Sequence, residues 1–147
     1  MTRLLIIATL ALITSACAFH TKPFIAYSDK THPLSDTAVF SVVPQGASSR
    51  RPSSGGITHI DGIPTSCFEA GCPMWVRVLP GDHSFTVAYF GEAKVSGMRP
   101  RHVYVVHFRT TKPLAVVSVE DLGENPDYGL TLGAEGANRK YYRVGFE

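Results

Sequence analysis

The stretch MWVRVLPGDHSFTVAYF, residues 74–90, shows the pattern that decides the fold. Every second residue is apolar on both sides of a central turn: Met74, Val76, Val78, Phe85, Val87 and Tyr89. Such period-2 alternation is typical of strands with one buried face. Between the two runs, Pro80, Gly81 and Asp82 are residues that favour a tight turn. The stretch therefore predicts a hairpin of two strands.

Short runs of the same kind recur along the rest of the chain. They are rich in Val, Phe and Tyr and end at residues typical of turns: 37–43, 57–61, 102–110, 114–122, 127–132 and 140–146. Alternation places Ala115, Val117 and Val119 on one face of their strand. With 13 Gly and 10 Pro among 147 residues, the composition favours many short strands in a single domain. We therefore predict an all-β fold, an antiparallel sandwich or barrel of about seven strands.

One part of the chain resembles a known module. The combination of IDG (60–62) with VLPGDHSFTVAY (78–89) resembles the PEGA-type module of bacterial envelope proteins. It is also similar to small outer-membrane lipoproteins that carry the same turn. The resemblance covers residues 57–95 and is interrupted by the insert PTSCFEAGCP (64–73). It implies an immunoglobulin-like sandwich that is noncatalytic and that binds or supports other components.

The N-terminus has the layout of a cleaved secretory signal peptide, which we assign to residues 1–16. Arg3 precedes the run LLIIATLALI (4–13), which is too short for a hydrocarbon core that needs about 20 residues. The following TSAC resembles a bacterial lipobox, although Thr14 stands where an aliphatic residue is usual. The resemblance implies that Cys17 carries a covalent lipid and anchors the mature chain. Ala18 after the cysteine implies the outer membrane, facing the periplasm.

The other two cysteines, Cys67 and Cys72, are separated by four residues. An exported protein folds in an oxidising compartment, so this even number predicts a disulfide between them. Two free thiols and a metal site are the alternatives. A C-x4-C spacing without a second Cys or His pair nearby is limited evidence for zinc.

The mature chain divides into two parts. Residues 17–35 show no sustained periodicity, and we interpret them as a lipidated tether that docks partly through Phe24 and Tyr27. Residues 36–147 form the predicted β-sandwich domain. The net charge is only +2, so the composition makes no electrostatic case for a nucleic-acid partner.

Few residues are candidates for binding or chemistry. His59 and Asp61 lie two apart, so on a strand they share a face and are candidate metal ligands, although no third ligand stands at a helpful spacing. The chain has no G-x-S-x-G nucleophile motif, and we assign no catalytic residues. Phe68 and Trp75, close to the disulfide loop, are candidates for an apolar interaction surface.

These patterns together predict a lipid-anchored envelope protein that is not an enzyme. Its sandwich would bind or support an unidentified envelope protein through loops or a sheet edge, with no cofactor. The N-terminal lipid would provide its membrane contact. Two other hypotheses remain open. One is an accessory lipoprotein of a secretion or transport assembly, and the other is a periplasmic enzyme or metal binder that uses His59, Asp61 and His83.

Overall fold

The computed structural model describes residues 21–44, 55–67, 71–132 and 139–147, which fold into an all-β sandwich and confirm the predicted fold class. These residues form one 3-10 turn, Leu34–Asp36, and eleven strands. The strands are β1 (Phe24–Ile25), β2 (Ala38–Ser41), β3 (Ile57–Ile60), β4 (Ile63–Pro64), β5 (Trp75–Val78), β6 (Gly81–Val87), β7 (Gly91–Met98), β8 (His102–Arg109), β9 (Ala115–Glu124), β10 (Gly129–Leu132) and β11 (Lys140–Arg143). The sequence missed β1 and β4, which have two residues each, and the polar strand β7.

Two sheets make up the sandwich, and their pairing is mixed instead of purely antiparallel. The five-stranded sheet has the order β1-β5-β2-β8-β9, and the four-stranded sheet has the order β4-β3-β6-β7. β1 is parallel to β5 and β2 is parallel to β8, while the other neighbours are antiparallel. Parallel neighbours need a long crossover connection. Between β2 and β8 the chain forms β5 and all four strands of the opposite sheet, and this long segment is the crossover.

The two sheets face each other across an aromatic core. Phe40 of β2 stacks on Phe85 of β6, with ring centroids 3.7 Å apart and planes 5° from parallel. Phe90 and Phe108 pack with their centroids 4.5 Å apart. Aromatic side chains remove more apolar surface from water than other residues do. These two contacts therefore hold the sheets together.

A third layer covers the outer face of the five-stranded sheet. Ser41 of β2 lies opposite Trp75 of β5, and both point away from the face that carries Phe40. β10 and β11 form a separate antiparallel ribbon. Tyr128, just before β10, packs edge-on to Trp75 with centroids 6.5 Å apart. Because both faces are covered, every residue of β2 and β5 is buried.

Arg77 is a buried cation in this covered layer. Its Nη1 donates to Thr37 Oγ1 and its Nη2 donates to the Gly145 carbonyl oxygen, at 2.7 Å each. The guanidinium also lies 5.1 Å from the ring centroid of Phe146. Burial lowers the pKa of Arg77. These contacts attach the C-terminal segment to the outer face of the sheet.

The turn at residues 79–80 connects the two sheets, so the predicted hairpin at this position is wrong. β5 belongs to the five-stranded sheet and β6 to the four-stranded sheet. β1 and β2 occupy both edges of β5, which leaves no place for β6 beside it. The two-residue hairpin lies at Asp61 and Gly62, which have φ values of 52° and 78° and join Ile60 to Ile63.

The strand directions define two ends of the sandwich. The aspartate end carries the turns at 61–62, 79–80 and 99–101, and the loop end carries the turn at 88–90 and the loop at 110–114. β1 is parallel to β5, so the chain enters β1 from the loop end. Phe24 packs against the core, which confirms the predicted docking through this residue. The folded region therefore begins inside the segment predicted as a tether.

Candidate functional site

A polar groove opens on the outer side of the four-stranded sheet at the aspartate end. It has a volume of about 380 Å³ and is lined by Asp61, Asp82, His83, Ser84, Lys94, Val95 and Ser96. Strands β6 and β7 position most of these residues, with Ser84 opposite Lys94. Asp61 comes from the β3–β4 hairpin and reaches the start of β6. The groove thus gathers polar residues from two strands and one turn.

His83 is held by hydrogen bonds at both ring nitrogens. Its Nδ1 lies 2.7 Å from Asp61 Oδ2, and its Nε2 lies 2.7 Å from the Leu79 carbonyl oxygen. Both contacts are with oxygens of the fold, so each ring nitrogen is directed at a hydrogen-bond acceptor. His83 thus serves as a clip between the β3–β4 hairpin and β6.

Asp61 completes the clip and does not act together with His59. Asp61 Oδ1 accepts a hydrogen bond of 2.8 Å from the Ser84 amide. His59 instead contacts Thr58, with Nδ1 3.1 Å from Oγ1. The left-handed backbone at Asp61 turns its carboxylate toward β6 and away from the position that a continuing strand would give it. Within the described ranges, no group of three His, Cys, Asp or Glu side chains is placed to hold a metal ion.

The remaining groove residues present polar groups to solvent. Asp82 Oδ1 accepts from the Gly97 amide at 2.6 Å, and Lys94 Nζ pairs with Glu92 at 3.2 Å. The hydroxyls of Ser84 and Ser96 form no hydrogen bond with the part of the chain that the structure describes. These groups are suited to hydrogen-bond a polar ligand. None of the serines has a free base beside it, since His83 is engaged.

A second cluster, which the sequence did not indicate, lies at the same end. His102 Nδ1 donates to Asp121 Oδ1 at 2.8 Å, and Arg99 Nη2 donates to Asp121 Oδ2 at 2.8 Å. Burial alone would raise the pKa of Asp121, but hydrogen bonds from His102, Arg99 and the Gly123 amide outweigh it and lower the pKa to about 2. His102 and Asp121 are 19 residues apart, and only the β8–β9 pairing brings them together.

This cluster resembles a base with its orienting carboxylate, but its position favours a structural role. His102 is only 7% exposed, so a substrate has little access to its imidazole. Arg99 and His102 flank the β7–β8 connection, and Asp121 belongs to β9. The three side chains therefore fasten the connection between the sheets to the edge of the five-stranded sheet.

Of the two residues that the sequence suggested for an apolar surface near the disulfide loop, the structure describes Trp75 alone. The predicted Cys67–Cys72 bond is present, with Cα atoms 4.1 Å apart. Trp75, however, is 1% exposed because it packs under Tyr128, so its proposed role in surface interaction is wrong. Phe68 lies outside the described residues, as does Cys17 with its predicted lipid.

Comparison of the chain with protein-family models, with curated proteins and with solved structures finds no match. In the ranges that the structure describes, no helix has the length and apolar character required to cross a membrane.

Proposed function

We propose that this chain is a lipid-anchored protein of the bacterial cell envelope whose noncatalytic β-sandwich binds or supports another envelope component. The observation that carries this proposal is the internal use of the His83–Asp61 pair. Both ring nitrogens and both carboxylate oxygens are occupied by hydrogen bonds within the fold. The groove beside the pair therefore has hydrogen-bonding groups without an activated base, which favours binding over catalysis.

The chemistry of the groove supports a polar partner. Ser84, Ser96, Lys94 and the free oxygen of Asp82 offer donors and acceptors on an uncovered sheet face. These donors and acceptors can form hydrogen bonds with the hydroxyl, amide and amine groups of a protein surface or a glycan. The contact would be shallow and rich in hydrogen bonds, in contrast to an apolar pocket that encloses a small ligand.

The N-terminal pattern supports the anchor. An apolar run of ten residues followed by TSAC fits export and acylation at Cys17. Acyl chains contribute about 0.8 kcal/mol per buried methylene, and two or more chains hold a protein stably at a bilayer. Lipid attachment would place the domain at the outer membrane, facing the periplasm, without a spanning helix.

The proposal is tested by crosslinking the full-length chain in its native envelope. A photoreactive residue replaces Ser96 in the groove, and the matched control replaces Ser118, an exposed serine of β9 outside it. We expect defined crosslinked products from position 96 and few from position 118. Identical products from both positions would contradict a binding role for the groove. Mass spectrometry of the same chain reports whether Cys17 is acylated, and an unmodified Cys17 would contradict the anchor.

A further inference from the structure

We propose that the loop end of the sandwich lies against an anionic lipid surface, so that the aspartate end with its groove faces away from the membrane. This inference rests on the proposed lipid anchor at Cys17 and adds an orientation to it. Three independent features of the described residues point to the same end: the direction of β1, a cluster of exposed apolar side chains that includes a tyrosine, and the greater number of unpaired cations.

The direction of β1 brings the anchor to the loop end. β1 runs parallel to β5, with Phe24 opposite Val76 and Ile25 opposite Arg77. β5 begins at the loop end, so the residues before Phe24 approach from that end. Cys17 precedes Phe24 by seven residues, a length of at most about 25 Å when fully extended. Acyl chains on Cys17 therefore hold the bilayer within about that distance of the start of β1.

A cluster of exposed apolar side chains lies at the loop end, whereas Ile63 and Leu79, which are 70% and 37% exposed, lie at the aspartate end. Tyr89, in the turn between β6 and β7, is 83% exposed, and Leu114 and Val117 are 39% and 59% exposed. A hydrogen bond of 3.1 Å from the Val116 amide to the Phe90 carbonyl joins the two segments that carry them. The three side chains thus lie close to one junction. Tyrosine is suited to the interface of a membrane, since its ring is apolar and its hydroxyl is polar.

Three cations without an ion pair to a described carboxylate lie at the loop end, and one, Lys30, follows β1 at the aspartate end. Lys22, Arg109 and Lys112 are exposed and form no ion pair with any described carboxylate. The carboxylate of Glu92, at the start of β7, is paired with Lys94. At the aspartate end, by contrast, Arg99 and Arg101 are paired with Asp121 and Glu124. Basic residues near anionic headgroups attract a surface over roughly one Debye length, so the charge distribution favours the proposed orientation.

The test measures which end touches lipid. Acylation of Cys17 and the Cys67–Cys72 disulfide leave no other thiol, so an introduced cysteine can be labelled selectively with a fluorophore. Tyr89→Cys places the label at the loop end. Ile63→Cys, at a residue that is 70% exposed beside the 61–62 turn, places it at the aspartate end as the matched control. The lipidated full chain is reconstituted into vesicles of phosphatidylcholine and phosphatidylglycerol that carry a headgroup quencher.

We expect at least threefold stronger quenching at position 89 than at position 63. In the background of Arg109→Glu with Lys112→Glu, quenching at position 89 should fall toward that at position 63. Equal quenching at both positions, or stronger quenching at position 63, overturns the orientation. Mass spectrometry of the same sample separates the two proposals. An acylated chain with equal quenching overturns only the orientation, whereas a chain without acylation at Cys17 overturns the proposed anchor and the orientation with it.

Discussion

The two sheets of the sandwich differ in how many of their faces are covered. In the five-stranded sheet, β2 and β5 are buried at every residue, because the β10–β11 ribbon and the C-terminal segment lie on the outer face. In the four-stranded sheet, β7 has Ala93, Val95 and Met98 buried and the residues between them exposed. A period-2 pattern with one buried face therefore describes only the second sheet.

This difference decides what polar residues can do. Ser41 in the covered sheet shares a hydrogen bond of 2.6 Å with the Tyr128 hydroxyl and is fully buried. Ser84 and Ser96 in the uncovered sheet line an open groove. Residues of the same type are thus structural in one sheet and free to bind a partner in the other. The covering layer, more than the residue type, separates the two roles.

We expect the largest loss of stability when the contact between the covered sheet and the ribbon is removed. Trp75→Ala should lower the free energy of unfolding by about 3–5 kcal/mol, because it leaves a cavity under Tyr128. Urea unfolding followed by circular dichroism measures this, since the variant lacks the sole tryptophan. Ser96→Ala, on the uncovered face, should change stability by less than about 0.5 kcal/mol. A loss below about 1 kcal/mol for Trp75→Ala would mean that the ribbon does not pack on this sheet.

A smaller change isolates one polar contact of the covering layer. The Tyr128 hydroxyl donates to the Val43 carbonyl oxygen at 2.6 Å, and burial raises the pKa of Tyr128. Tyr128→Phe should lower the free energy of unfolding by about 2 kcal/mol, because it leaves a buried acceptor unsatisfied. Tyr141→Phe is the control, since Tyr141 is half exposed and should tolerate the change. Equal effects of both substitutions would count against the buried contact.

The edge of the covered sheet offers a test by pH. Asp121 has a pKa of about 2 in the fold, below its ordinary value of 3.8, so its ionised form stabilises the native state. That contribution is complete above pH 4 or so and is lost as the pH falls through about 2. Asp121→Asn should therefore lower stability by about 1–2 kcal/mol at pH 7, after allowance for partial exposure, and by much less near pH 2.

Stability measured against pH by chemical denaturation checks this prediction. Glu120→Gln provides the control on the same strand, because Glu120 is more exposed and pairs with the exposed His107. The control should shift stability by a few tenths of a kcal/mol. If Asp121→Asn were as stable as the unsubstituted chain at pH 7, the His102 and Arg99 contacts would contribute nothing to the junction.

We expect the smallest loss of stability from removing the His83 clip, which joins the β3–β4 hairpin to β6 in the uncovered sheet. His83→Ala should lower the free energy of unfolding by about 1 kcal/mol, because Asp61 and the Leu79 carbonyl each lose a hydrogen bond near solvent. His59→Ala, which removes only a contact to the neighbouring Thr58, is the matched control. No measurable loss for His83→Ala would mean that the ring is not committed to the fold, which would reopen the hypothesis of a metal or catalytic role.

Some expectations about side-chain direction were wrong for local geometric reasons. Alternation put Ala115, Val117 and Val119 on one face of β9, but Val117 is exposed while Val116 and Val119 pack against the core. A register irregularity between His107 and Phe108 shifts the β8–β9 pairing and changes which residues face inward. Tyr89 was expected to continue a buried face, but β6 ends at Val87 and the chain turns. Neither a bulge nor the last residue of a strand follows from period-2 alternation alone.

The sequence by itself determined the class of the fold, most strand positions and the disulfide. These depend on local alternation, on turn residues and on cysteine parity, all of which act over a few neighbouring positions. The tertiary structure decided that β5 and β6 belong to different sheets, that Tyr128 and the C-terminal segment cover Trp75 and Arg77, and that His83 pairs with Asp61. Those outcomes depend on contacts between residues far apart in the chain. Sequence spacing does not encode them, because many registers and layer arrangements satisfy the same alternation.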